Sequence, residues 1–300
     1  MNHIVYHSKD YDGKASACLT IYGTRGEYTL HPYDYGDPLP AYKSWNPETD
    51  TVYMVDVSLP RLQMLDLWVD FGVKFFWIDH HKSAIDDLGP VPIPGLRRIG
   101  VAACALVWEH FFGHGGINPV PPGLALISQF DVWNKSDGKW DTHTMPYQYG
   151  LDINGDNRPD PTTFAGLEFC HPMVGPLHNK EDIATIIKRG HLAVEALQRH
   201  FKFETDHFSY ERDFQGLKAL CINAPNISSL RLEETFNPAD HDLMLIWCTT
   251  PKGIKVSLYS TKQGIDCSSL AKKYNGGGHV GAAGFVLPVD KLAEVAPCNP

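Results

Sequence analysis

Several things are missing from this chain of 300 residues, and each absence narrows what it can be. Its seven cysteines (Cys18, Cys104, Cys170, Cys221, Cys248, Cys267 and Cys298) form no C-x-x-C pair and are scattered, mostly within apolar runs. An odd, unpaired set of this kind predicts reduced, buried thiols, with neither a disulfide framework nor a zinc knuckle. The amino-terminal stretch MNHIVYHSKDYDG has no basic segment followed by a long apolar one, so no secretion signal is expected. No apolar run approaches the ~20 residues of a membrane span. A cytoplasmic location is the resulting expectation, with no membrane partner. Positive charge is also short: 26 Lys and Arg against 35 Asp and Glu give a net charge of -9. Proteins that coat long duplex DNA carry a basic balance, so that role is disfavoured. A small phosphorylated ligand stays allowed, because bound cations can supply positive charge locally.

What is present is ample apolar material, 43% of the chain, enough for one large domain or two ordinary ones. The first half alternates short apolar runs with helix-like segments. Strands are expected at His3–His7, Glu27–His31, Thr51–Val57 and Val73–Ile78. Helices are expected at Lys14–Tyr22, Leu59–Phe71 (apolar at Leu62, Leu65, Trp68 and Val69) and Ile99–Phe112. Strands alternating with helices predict an α/β fold with right-handed crossovers and a mostly parallel sheet flanked by helices. Asp152–Pro161, rich in Asp, Asn and Pro, reads as a loop; its Asp152-Ile-Asn154-Gly-Asp156 lacks glycine at the sixth position that a calcium loop needs. From Glu181 an amphipathic helix runs toward Phe208 with a break. The strand pattern then restarts at Leu217–Asn223, Leu243–Thr249, Ile254–Tyr259 and Gly284–Leu287, with a helix at Cys267–Lys273. The expected organisation is therefore a larger α/β domain at 1–180, a linker helix at 181–207 and a smaller α/β domain at 208–300.

The chemistry gathers where the first-half strands end. The first runs into His7, then Asp10-Tyr11-Asp12-Gly13; the third carries Asp56; the next leads straight into Asp79-His80-His81; a later short apolar run, LALISQF, ends at Asp131. In open α/β sheets, sites form at the carboxyl ends of the strands. Singly, each residue has an ordinary explanation: a turn or helix cap for Asp10 and Asp12, a strand end for Asp56, a cap for Asp131, a surface histidine for His7. Two adjacent imidazoles after an aspartate are poorer material for core or loop. Carboxylates crowded on one edge repel one another unless cations sit among them. Oxygen and imidazole donors suit manganese, magnesium or a similar ion. Two ions about 3.5–4 Å apart need six or seven such ligands, and His7, Asp10, Asp12, Asp56, Asp79, His80 and Asp131 supply that number. Further on, Gly276-Gly277-Gly278-His279 offers backbone N–H groups that an anionic or planar ligand can approach closely, with His279 as a donor.

HSKDYDGKASA, MVDVS, WIDHHKS and SQFDVW resemble, in order, the four motifs of the DHH phosphoesterases, and YNGGGHVGAAGF resembles the glycine-rich signature of their associated C-terminal domain. The resemblance implies two ions of manganese type, with magnesium or cobalt as substitutes. Asp10 and His7 would hold one; Asp12, His80 and Asp131 the other; Asp56 would bridge them. Asp79 would support the cluster, and His81 would face the substrate phosphate. Gly276, Gly277, Gly278 and His279 would grip a nucleotide. The spacing from His7 to Asp10 is shorter than in some relatives. Relatives also often carry arginine where this chain has Tyr259; Arg231 is a cation that could stand in, or Tyr259 could stack on a base. The implied activity is phosphodiester hydrolysis that releases nucleoside 5′-monophosphates. With two compact domains and no extra basic, aromatic-rich module, the expected substrate is a short oligonucleotide, as in the oligoribonuclease (nanoRNase) branch. Linear or cyclic dinucleotides, single-stranded DNA as for RecJ-type exonucleases, and nucleotide sensing without turnover are the alternatives. A homodimer is compatible with all of them.

Overall fold

The computed structural model describes residues 1–225, 229–233 and 235–297, so Cys298 lies outside the described residues. The chain divides into two compact units, Met1–Ala193 and Val194–Pro300.

Unit 1 is built in the order β1 (Asn2–His7), α1 (Tyr11–Thr24), β2 (Tyr28–Tyr33), β3 (Thr51–Val55), α2 (Arg61–Phe71), β4 (Phe75–Ile78), α3 (Lys82–Leu88), α4 (Ala103–Phe111), α5 (Pro122–Asp131), α6 (Met145–Asp152), α7 (Phe164–Phe169) and the first part of α8 (Lys180–Phe208). Its four strands are all parallel and lie in the order β2-β1-β3-β4. Successive side chains of a strand face opposite ways, and both faces of this sheet are covered. Ile4 and Tyr6 pack with α1, α4 and α5, while Val5, Val52, Met54, Phe75 and Trp77 pack on the other side with α2. That double burial is why β1, β3 and β4 read as largely apolar runs rather than as alternating ones, while the edge strand β2 is mostly exposed or half-buried.

Four local expectations change in the structure. In α2 the buried stripe is Met64, Leu67 and Phe71, spaced three and four apart, while Leu62 and Val69, seven apart, lie together on the exposed face. The run LALISQF is the body of α5, a helix opened by Pro122 in its first turn, so Asp131 arrives at the end of a helix and not of a strand. Asp152 closes α6, so the Asp-rich loop begins after it. The break expected in α8 is not seen; the helix is one element.

Unit 2 continues from α8 through β5 (Tyr210–Phe214), β6 (Leu217–Asn223), α9 (Leu230–Glu233), β7 (Leu243–Thr250), β8 (Gly253–Tyr259), α10 (Cys267–Lys272), β9 (Gly277–Gly278) and β10 (Ala282–Leu287). Its sheet has the order β5-β6-β7-β8-β10-β9; β6 and β7 are parallel and the other pairs antiparallel. Phe214, Leu245, Val256, Leu258 and Phe285 form its core with α10. The edge strand β5, YERDF, escaped the sequence reading because it alternates polar and half-buried residues without an apolar run.

Two glycines let α6 and α8 approach closely within unit 1. A side-chain carbon on Gly190 would run into the Pro146 carbonyl and crowd the Gly150 amide, and one on Gly150 would meet the Ile186 carbonyl. The obstacles are helix backbone and cannot turn aside. Gly190→Ala is therefore expected to lower stability by about 3 kcal/mol, read as a drop in the urea midpoint of the transition that includes unit 1, against the small gain that Gly→Ala brings in an open helix.

Candidate metal centre

β1 and β3 are neighbours in the sheet, but the connections leave them in opposite directions: β1 leads to β2 on one side, and β3 leads to β4 on the other. A crevice opens at the carboxyl ends of strands at such a reversal. His7 is the last residue of β1, and Asp56 directly follows β3. Asp56 has φ +59, a left-handed conformation that Asp tolerates better than most residues. Its amide still donates to the Ile78 carbonyl at 3.0 Å, so the turn stays tied to β4 while the carboxylate points to the crevice. Trp133, two residues after Asp131, is also left-handed, at φ +51. Strained backbone of this kind concentrates at functional sites.

Two donor groups meet there. In the first, His7 Nδ1 lies 2.6 Å from Asp10 Oδ2 and 3.6 Å from Asp56 Oδ2. In the second, His80 Nε2 lies 3.2 Å from Asp12 Oδ2, 3.1 Å from Asp56 Oδ1 and 3.3 Å from Asp131 Oδ2. Ligand atoms of His7, Asp10 and Asp56, and of Asp12, His80 and Asp131, can each be chosen within 4.8 Å of one another. Asp56 thus turns one oxygen toward each group.

Each member is held by its own local device. Asp10 caps α1, its Oδ1 accepting from the Gly13 amide at 2.9 Å, which leaves Oδ2 for the cluster. The helix-cap explanation and membership of the cluster are both correct, one for each oxygen. Gly13 is required because any side chain would collide with the His7 carbonyl. Asp12 accepts from the Ala103 and Cys104 amides, at 2.9 and 2.6 Å, at the start of α4, where a helix favours negative charge. Asp79 is fully buried; its Oδ1 accepts from the His80 and His81 amides and pairs with His81 Nδ1, at 2.7, 3.1 and 2.7 Å, and its Oδ2 accepts from the Trp77 indole at 3.1 Å. Asp79 therefore shapes the turn that presents both imidazoles. Asp131 stands at the carboxyl end of α5, where a negative charge is disfavoured.

The charges report the crowding. Burial, then Asp12 and Asp10, pushes the Asp56 carboxyl up to about 6. Burial, then Asp12, pushes Asp131 well above the carboxylate range. Burial disfavours a charged His80, yet Asp131, Asp12 and Asp56 hold its pKa well above that of an ordinary histidine. Three carboxylates around one ring nitrogen, which carries at most one proton, are not neutralised by it. Asp56 Oδ2 is buried and, among the described residues, faces His7 Nδ1 only at 3.6 Å, beyond an ordinary hydrogen bond, a costly state for a carboxylate oxygen. The donor set is oxygen and imidazole nitrogen; Cys104 meets it as a hydrogen-bond donor to Asp12, through its amide and its thiol. These residues fit two hard divalent cations sharing Asp56.

The sequence reading missed Asp34 and Tyr35, which follow β2 at the same sheet edge. Asp34 Oδ1 lies 3.5 Å from His7 Nε2, and the Tyr35 ring lies 6.2 Å from those of His7 and His81. The signal available was an Asp-Tyr-Gly-Asp turn directly after a strand.

The remaining expected residues belong to unit 2. A side chain on Gly276 would strike the Gly284 carbonyl; Gly278, at φ +136, packs on Ala282 and Ala283. Close pairing of β9 with β10 thus accounts for two of the three glycines. The His279 amide donates to the Ala282 carbonyl at 2.7 Å. Tyr259 ends β8, opposite Met244 and Ala282. Arg231 is buried, its guanidinium paired with Glu204 and laid over the Phe201 ring at 4.1 Å, so its charge is engaged inside the unit.

No family model matches this chain. A similar curated protein is the uncharacterized protein R106 of Acanthamoeba polyphaga mimivirus, 24% identical over 97% of this chain and 70% of that one. A pGpG-specific phosphodiesterase, PggH, from Vibrio cholerae superposes with a TM-score of 0.51 at 14% identity, covering 98% of this chain and 95% of its own. An exopolyphosphatase-related protein from Bacteroides fragilis gives a TM-score of 0.46 at 13% identity, over 95% of this chain and 86% of that one. The Vibrio likeness shows a shared fold: a parallel sheet flanked by helices, followed by a second sheet-containing unit. Among the described residues, no helix is long and apolar enough to cross a membrane.

A direct check of the centre is thermal unfolding with and without Mn2+. Manganese at 100 times its dissociation constant should stabilise the protein by about 2.7 kcal/mol, and chelation should reverse this. Asp56→Asn should raise the metal-free midpoint, by removing a buried repelled carboxylate, while abolishing most of the manganese increment.

Proposed function

We propose that this chain is a metal-dependent phosphodiesterase of the DHH type, acting on short oligonucleotides and releasing nucleoside 5′-monophosphates. The observation that carries this reading is Asp56, buried at the topological switch point with one oxygen toward each donor group. A carboxylate shared by His7 and Asp10 on one side and by Asp12, His80 and Asp131 on the other is what a pair of shared cations requires, and paired cations serve in-line displacement at phosphorus. Manganese is the proposed ion, with magnesium or cobalt able to replace it; when bound, the metal pair supplies an activated water and offsets negative charge on the phosphate.

The chain's own residues then have definite tasks. His7, Asp10 and Asp56 would hold one ion, and Asp12, His80, Asp131 and Asp56 the other. The His81 ring, held through Nδ1 by Asp79 at 2.7 Å, is oriented to bear positive charge beside a phosphate or to pass a proton to the departing oxygen. Asp79 fixes that ring in place and does not itself meet the phosphate. In unit 2 the Gly276–His279 segment, and Tyr259 by stacking, are the proposed contacts to the nucleotide. The fold shared with a pGpG-specific phosphodiesterase and the net charge of -9 support a substrate of few phosphates over a long duplex.

The test is a cleavage panel in Mn2+: a diribonucleotide, a longer RNA, single-stranded DNA and a cyclic dinucleotide, each with wild type and His80→Ala. The expected result is fastest conversion of the diribonucleotide to 5′-monophosphates, reduced to background by the substitution. Faster loss of long single-stranded DNA would reassign the protein as an exonuclease. Tight nucleotide binding without any cleavage would make it a sensor.

A further inference from the structure

We infer that Tyr35 forms an aromatic wall at the mouth of the metal centre and stacks on the base of the nucleotide whose phosphate the centre holds. The inference rests on the phosphodiesterase reading above and names a base-recognition element within it.

Tyr35 sits in the turn Asp34-Tyr35-Gly36-Asp37 that follows β2. The turn closes on itself: the Asp37 amide donates to the Asp34 carbonyl at 2.9 Å, the Asp34 amide donates to Asp37 Oδ2 at 3.1 Å, and Gly36 takes φ +89. From the edge of the sheet, this turn reaches every strand end that carries the centre. Asp34 meets His7 at the end of β1. The Tyr35 hydroxyl accepts from the Ser58 amide at 3.4 Å, two residues beyond Asp56. The Tyr35 ring meets that of His81, beyond β4, at 72°, and that of Tyr33 at 70°, with centroids 6.2 and 6.3 Å apart.

The ring is thus held at its hydroxyl and by three neighbouring rings, yet 48% of the residue is exposed. Its neighbours Tyr33 and His7 are largely buried. A large aromatic ring, immobilised by contacts with the residues around a phosphate-binding centre but left open on one side, has already given up the rotamer freedom that ligand stacking costs. A base offers a face to any such ring, whatever its sequence. Among the described residues of unit 1, Tyr35 is the exposed aromatic side chain in ring contact with two imidazoles of the centre.

The experiment compares binding of adenosine 5′-monophosphate and ribose 5-phosphate to the manganese-loaded full chain by calorimetry. The two ligands share sugar and phosphate and differ in the base. Wild type should bind the nucleotide about tenfold more tightly. Tyr35→Leu and Tyr35→Ala should each remove that difference, with manganese affinity and ribose 5-phosphate binding unchanged, and Tyr35→Phe should keep it. Equal weakening of both ligands, or a loss of manganese affinity, would show that Tyr35 acts only by supporting the metal ligands and would overturn the inference. A preserved preference for the nucleotide in Tyr35→Leu would overturn it too. If wild type binds manganese but neither ligand, or no manganese at all, the phosphodiesterase reading itself fails, an outcome separate from any effect of the variants.

Discussion

The constraint on which the rest of this structure depends is the mutual repulsion of carboxylates packed at one end of a parallel sheet. Two such charges about 4 Å apart, at the effective dielectric of a protein, repel by about 4 kcal/mol. Here Asp12, Asp56 and Asp131 converge on a single imidazole nitrogen. No protein gains stability from that arrangement in itself. It is tolerable because the fold supplies partial positive charge to some members, the α4 amides to Asp12 and the turn amides to Asp79, and because the others fit a shared cation.

The division between supported and unsupported carboxylates follows from the topology. Asp12 and Asp79 are satisfied by neighbouring backbone and serve as fixed points. Asp56 and Asp131 are the two members of the centre whose carboxyls burial and neighbouring carboxylates push upward. Groups with perturbed pKa values in a crevice mark functional sites because the cost would otherwise be removed by substitution. The same sheet edge carries the Asp34–Tyr35 turn, so the edge strand β2, which provides no ligand, still borders the centre. A sheet in the order β2-β1-β3-β4 places that border beside His7 and beyond it from Asp56.

How much of this was legible in the sequence depends on how far apart the interacting residues lie. His7, Asp56 and Asp79-His80-His81 could be read because each directly follows a strand buried on both faces, where an apolar run stops abruptly at polar residues. Asp131 was found for the right edge but on the wrong element: LALISQF is short enough to fit strand or helix, and Pro121-Pro122, which marks a helix start, settles it. The α4 amides that hold Asp12 lie 91 and 92 residues away, and no local pattern announces a backbone donor. Tyr35 was overlooked because a Gly-containing turn after a strand is ordinary; only the sheet order shows what that turn reaches. In unit 2, three consecutive glycines read as a ligand loop, and part of their reason is the close pairing of β9 with β10.

That last case bears on how such motifs should be weighed. A glycine is informative when nothing in the fold demands it, and Gly276 and Gly278 are demanded by the neighbouring strand. Their presence therefore argues less for a ligand than three bare glycines did. The weight shifts to Asp56: a left-handed backbone, a buried oxygen that among the described residues lacks a close donor, and a carboxyl pushed up to about 6 all run against stability. A residue that costs the fold in these ways fits a shared cation, and the donor groups on either side of it, His7 with Asp10 and His80 with Asp12 and Asp131, border the space for one.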